Sequence, residues 1–112
     1  MKLTTEEIDG VLVARIEEAR LDNTKAPQFK AELLRLVERQ KAKNILIDLK
    51  KVEYVDSSGL GALLFGHRQA QSRSGQMKLL HVNARVNTLI KIAKLQDILE
   101  RYEDETEAIR SF

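Results

Sequence analysis

An α/β fold with a mixed, mostly parallel sheet, an N-terminal hairpin and about four helices is predicted by three features of this 112-residue sequence. Two strand-like runs flank Asp9-Gly10 at the start, a dipeptide that commonly turns a hairpin. Short apolar runs then alternate with longer stretches of helical periodicity. Such alternation implies crossover connections and parallel neighbours in the sheet. The length suits one hydrophobic core, so residues 1–112 are expected to be a single domain.

The elements follow in order. Strands are predicted over Leu3 to Ile8 and Val11 to Glu17, with Glu17 and Glu18 as a solvated strand end. Leu21-Asp22-Asn23-Thr24 is a polar connection rich in N-cap candidates, and Pro27 is tolerated because it falls in the first turn of the next helix. That helix is expected from about Lys25 to Gln40, where Phe29, Leu33, Leu36 and Val37 recur at helical spacing. Lys43 to Lys50 reads as a buried strand, with Ile45, Ile47 and Leu49 on one face and Leu46 on the other. A second helix begins at Asp56, carries Leu60, Leu63, Leu64 and Ala70, and ends near Ser74-Gly75 with Gly75 as its C-terminal cap. Gln76 to Val82 is a strand. Ala84 to Lys94 is a helix with Val86, Leu89, Ile90 and Ala93 inward. A short strand near Leu99 to Tyr102 and a helix over Glu103 to Ser111 complete the chain.

Composition narrows the function. Hydrophobic residues make up 43% and charged residues 32%, ordinary for a globular protein, and no apolar run approaches the ~18 residues of a membrane span. The start, Met1-Lys2-Leu3-Thr4-Thr5-Glu6-Glu7, has no signal-peptide core, so the cytoplasm is the expected location and no membrane partner is expected. Without cysteine there is no disulfide framework and no thiolate chemistry. Nineteen basic and seventeen acidic residues are interspersed, and Phe29, Tyr54, Phe65, Tyr102 and Phe112 are scattered, which argues against nucleic acid. Arg35, Arg39, Lys41 and Lys43 cluster locally, as suits a solvated helix end.

Val55-Asp56-Ser57-Ser58-Gly59-Leu60-Gly61 is the most informative run. It sets two hydroxyls between a carboxylate and a helix start, with Asp56 or Ser57 as N-cap. Free N–H groups and the helix dipole would favour a phosphoryl group there, by ~0.3 to 1 kcal/mol per charge for the dipole. The ordinary alternative is an unmodified cap. Two glycines in a first turn cost about 2 kcal/mol relative to alanine, so bare backbone is required locally. A buried glycine would serve close packing; an exposed one would serve close approach by a partner. Loops beyond the carboxyl ends of strands are the usual binding positions in open α/β sheets. This run occupies such a position, and so does Leu21 to Thr24 if the second strand pairs with a parallel neighbour.

Other chemistries fit poorly. A hydrolase elbow needs glycine two before and two after its serine, and neither Ser57 nor Ser58 has it. His67 lies roughly 15 Å along the same helix, and His81 ends a strand in a core or surface role. A Mg²⁺-dependent phosphoaspartate receiver at Asp56 would require an acidic pair, into which Glu17 and Glu18 fit badly, and a longer loop. Gly59-Leu60-Gly61 is too short for a nucleotide cradle. No cofactor and no metal are therefore assigned.

Hairpin, helix, strand, Asp-Ser-Ser-Gly-Leu-Gly at a helix start, strand, helix, short strand and helix together resemble the STAS-domain anti-sigma-factor antagonists. Leu21-Asp22 resembles the family's Leu-Asp loop, Gly75-Gln76-Met77-Lys78-Leu79 its lead into the next strand, and Ala84 to Leu95 its third helix. The resemblance spans essentially the whole chain. It implies a STAS fold and a non-enzymatic partner switch. In that scheme the unphosphorylated protein binds an anti-sigma factor, which is also a serine kinase of the histidine-kinase-like ATPase type; phosphorylation releases it and a metal-dependent serine phosphatase resets the switch. The acceptor implied is Ser57, with Ser58 the lesser candidate. The implied docking face comprises Asp22, Asn23, Thr24, Asp56, Ser57, Ser58, Gly59 and Leu60 on a monomer. The alternative within the family is a scaffold subunit of a stressosome or lipid-transport complex. One departure stands out: many members carry Gly-Glu before the Leu-Asp loop, whereas this chain has Glu18-Ala19-Arg20. Arg20 is placed to pair with Asp22 or with a phosphate on Ser57.

Overall fold

In the computed structural model, which describes residues 1–112, the chain opens with strands β1 (Leu3–Ile8) and β2 (Val11–Ile16). Asp9 and Gly10 join them, both at positive φ (51° and 81°), the backbone that a two-residue hairpin turn demands. The next elements are β3 (Arg20–Leu21), α1 (Ala26–Glu38), β4 (Asn44–Asp48), β5 (Tyr54–Val55) and α2 (Ser57–Ser72). β6 (Gln76–Leu80), α3 (Ala84–Ile92), β7 (Arg101–Tyr102) and α4 (Glu105–Arg110) complete the order. The main sheet runs β1-β2-β4-β6-β7. Only β1 and β2 are antiparallel; β2, β4, β6 and β7 pair in parallel. The structure thus has the mixed, mostly parallel sheet, the hairpin and the four helices.

β3 and β5 were not anticipated. They form a separate two-stranded parallel sheet, with Arg20 opposite Tyr54 and Leu21 opposite Val55. Pairs this short carry no periodicity, so only the long-range contact reveals them.

The alternation along β4 holds in three dimensions. Ile45, Ile47 and Leu49 enter a 22-residue core with Phe29, Leu33 and Leu36 of α1, Leu60 and Leu63 of α2, and Val86 and Ile90 of α3. Leu46 faces the opposite side, with Val11, Val13, Leu80 and Ala108 of α4. Helices α1, α2 and α3 therefore cover one face of the sheet and α4 the other.

Several local expectations are corrected. Ala93 caps α3 and is exposed, because the helix ends at Ile92, two residues before the expected end. Leu64 is half-buried and lies outside the core cluster. The left-handed residue after α2 is Ser74 (φ 62°), not Gly75. Gly75 is small for another reason: a Cβ on it would lie 1.9 Å from the Lys43 carbonyl oxygen. Glu17 and Glu18 are half-buried and hydrogen-bonded rather than freely solvated. Lys51 hydrogen-bonds Glu17, while the Lys2 N–H donates to Glu18 at 2.7 Å, and these donors hold both carboxyls below the ordinary range. No side chain caps α1, whose N-cap residue is Lys25. The basic cluster is indeed a helix end, with Arg35 paired to Glu32 at 2.8 Å and Arg39, Lys41 and Lys43 exposed.

Candidate functional site

The β3–β5 pairing places Leu21-Asp22-Asn23-Thr24 beside the start of α2. Asp56 joins the two segments through both carboxylate oxygens. Oδ1 accepts the Gly59 N–H at 2.8 Å, capping α2, and Oδ2 accepts the Asn23 N–H at 3.0 Å. Asp56, not Ser57, is the N-cap. A carboxylate committed to two backbone donors suits a structural tether better than a metal-assisted phosphoacceptor, and no group of three or more metal-ligating side chains forms.

Asp56 is half-buried and Ser57 and Ser58 are exposed above it. As the first two residues of α2, their N–H groups have no partner within the helix. Gly59 and Leu60, by contrast, are buried, so they shape the loop from beneath. A Cβ on Gly59 would lie 2.0 Å from the Leu21 carbonyl oxygen. That glycine is what lets the two loops touch. Gly61 is exposed, and a Cβ there would meet nothing within 4 Å. The two glycines therefore divide between close packing and open access.

Asp22 organises the neighbouring loop. Its Oδ1 accepts from Thr24 Oγ1 at 2.7 Å and from the Thr24 N–H at 3.1 Å, and its Oδ2 accepts from Arg20 Nε at 3.2 Å. Hydrogen bonds from Thr24, then from Arg20, lower its pKa to about 2. Asn23 and Thr24 are exposed at the tip. Arg20 also stacks over Tyr54, 4.2 Å from the ring centroid. The sequence reading missed Tyr54 as part of this cluster; the signal was an aromatic three residues before Ser57 with a cation at the matching position of the other loop. Since the Arg20 side chain is 60% exposed, its ion pair with Asp22 contributes under ~1 kcal/mol.

The histidines stand apart from the serines. His67 lines a cleft with Gln71, Gly75 and Glu100 near the far end of α2. Burial and then Arg68 lower its pKa, and its Nδ1 is buried without a partner. His81, half-buried after β6, adopts φ 59°. Neither hydrogen-bonds Ser57 or Ser58.

A STAS domain model matches residues 2–108. The chain belongs to the STAS domain family. Among its relatives, the anti-sigma F factor antagonist of Paenibacillus polymyxa is 27% identical over 109 residues, covering 97% of this chain and 92% of that protein. The anti-sigma-B factor antagonist of Bacillus subtilis is 31% identical over 80 residues, 71% of this chain and 72% of the relative. Among solved STAS folds, the anti-sigma factor antagonist SpoIIAA in its unphosphorylated form is similar with a TM-score of 0.74 at 21% identity, covering 98% of this chain and 96% of that one. Its phosphorylated form gives the same TM-score, 0.74, at 19% identity, covering 99% and 100%. In this STAS domain no helix is long and apolar enough to cross a membrane.

Proposed function

We propose that this STAS protein is a non-enzymatic, cytoplasmic anti-sigma-factor antagonist that works by partner switching, with Ser57 as the phosphorylated residue. The observation that carries the reading is the double role of Asp56. One carboxylate caps α2 and ties down the Leu21–Thr24 loop, leaving Ser57 exposed on a rigid platform. The names of the relatives support the same reading. In its unphosphorylated form the protein binds an anti-sigma factor through Asp22, Asn23, Thr24, Ser57 and Ser58. The bound factor, a serine kinase of the histidine-kinase-like ATPase type, transfers the γ-phosphoryl group of ATP to Ser57 Oγ, which loses its proton as ADP departs. A metal-dependent serine phosphatase reverses the modification.

Electrostatics explains release. The phosphate adds about −1.5 to −2 charges beside Asp56 and Asp22, so an interface centred on the loop meets like-charge repulsion and a desolvation cost. The fold tolerates the same group, because it sits at a helix start with unpaired N–H donors. Ser57→Asp is expected to weaken partner binding, and Ser57→Ala to bind without being regulated.

The test is intact-protein mass spectrometry with site mapping after incubation with ATP and lysate of the source cells. Wild type, Ser57→Ala and Ser58→Ala are compared. A single phosphate lost only in Ser57→Ala is the expected result. No phosphate on either serine, while other substrates are labelled, would overturn the reading in favour of a constitutive STAS scaffold.

A further inference from the structure

We infer that Arg20 is the intramolecular receptor for a phosphoryl group on Ser57; this rests on Ser57 being the modified residue. Three observations converge on it. Arg20 engages Asp22 through Nε alone, at 3.2 Å, and neither terminal guanidinium nitrogen has an acceptor in the structure. The guanidinium carbon lies over the Tyr54 ring, 4.2 Å from its centroid, so the cation is positioned before any ligand arrives. The third observation is register: Arg20 lies opposite Tyr54 in the β3–β5 pair, three residues before Ser57, or ~10 Å of extended chain. An arginine side chain reaching from one strand and a phosphoserine reaching from the other span that interval.

Guanidinium groups match phosphate oxygens with two parallel hydrogen bonds, and stacking on an aromatic ring reduces the ordering that each bond requires. Asp22 and Asp56 are the carboxylates of this cluster, and both are already occupied by hydrogen bonds. Arg20 is the cation whose donors remain free there. With Nε retained on Asp22, the terminal nitrogens take two phosphate oxygens and clip the Leu21–Thr24 loop to the first turn of α2. Phosphorylation in this chain thus closes a bridge between the two loops as well as adding charge.

The test needs no kinase. Phosphoserine is incorporated at position 57 during translation, and its second pKa is followed by phosphorus NMR in otherwise wild-type protein, Arg20→Gln and Arg20→Lys. In the wild type the pKa is expected below the ordinary value of about 6, and Arg20→Gln should raise it by roughly half a unit. Arg20→Lys should fall between them, since it keeps the charge but not the fork. Arginine side-chain NMR should show the Arg20 resonances moving on phosphorylation. An unchanged phosphate pKa in Arg20→Gln, or Arg20 resonances that ignore the phosphate, would overturn the inference. Because the phosphate is installed synthetically, these outcomes are independent of whether cells modify Ser57, which the mass-spectrometric test decides.

Discussion

On the face of the sheet that carries the site, three helices bury a 22-residue apolar core, whereas on the other α4, six residues long, covers a cluster of five. The second face makes up the difference with charge. Arg15 sits between Asp48 (2.9 Å), Glu105 (2.6 Å) and Glu6 (2.5 Å), and these carboxylates, Glu105 foremost, raise its pKa further above an already high value. Buried Lys78 donates to the Ser111 carbonyl and hydroxyl oxygens, both at 2.9 Å, beneath the ring of Phe112. A helix of α4's length is not stable by itself, so an ion pair at its first residue and hydrogen bonds from the Lys78 ammonium at its end hold it to the sheet. Helix α2 needs none. Its first turn is fixed by packing and a cap, which leaves the hydroxyls of Ser57 and Ser58 free for chemistry.

Two glycines two residues apart, on different sides of the first turns of α2, give this contrast its largest expected effect. Gly59→Ala should cost about 3 kcal/mol, because the new methyl group meets backbone and the loop must move. Gly61→Ala should stabilise the fold by about 1 kcal/mol, since the Cβ enters open space and removes a helical glycine. Urea unfolding of the two variants measures the difference. Equal stabilities would mean that contact with Leu21 does not define the platform.

Next in size is the loss of Asp48, the β4 carboxylate that orients Arg15 towards Glu105 of α4. Asp48→Ala should destabilise by about 2 kcal/mol, less than breaking an isolated buried pair, because Arg15 keeps Glu6 and Glu105. Its signature should be local: amide exchange accelerates in α4 and stays unchanged in the first turn of α2. Uniform acceleration across both helices would show that the two faces are energetically one unit.

How far the sequence reveals this architecture depends on the range of each interaction. The β4 strand is legible because Ile45, Ile47 and Leu49 alternate with Leu46, and the structure sends these two sets to different cores. The Asp56 cap is legible because capping is local. The second half of the Asp56 role, its bond to the Asn23 N–H, crosses 33 positions and leaves no periodic trace. The bonds of Arg15 to Asp48 and Glu105 cross 33 and 90 positions and leave no periodic trace either. Gly75 reads as a helix cap because glycine is common there, but the actual constraint is the carbonyl of Lys43 on a neighbouring segment. Close backbone approach between distant segments is invisible until the chain is folded.

The smallest expected effect falls where the two loops meet. Asp22 has a folded pKa of about 2 against an ordinary value of 3.8, held down first by Thr24 and then by Arg20. A depressed carboxylate pKa means that the folded state releases this proton more readily than the unfolded chain. Its contribution is therefore complete above the ordinary value and is lost as pH falls from 3.8 towards 2. Asp22→Asn should lower stability modestly at pH 5 and converge on the wild type as pH falls through that window, flattening the acid limb, as measured by thermal unfolding between pH 5 and pH 2. Glu17 and Glu18 act in the same direction and remain in both proteins, so the comparison isolates Asp22. A curve that Asp22→Asn does not alter would mean that the Thr24 and Arg20 hydrogen bonds exchange freely with water. In that case the β3–β5 pairing and the Asp56 bond to Asn23 suffice to hold the loop beside Ser57.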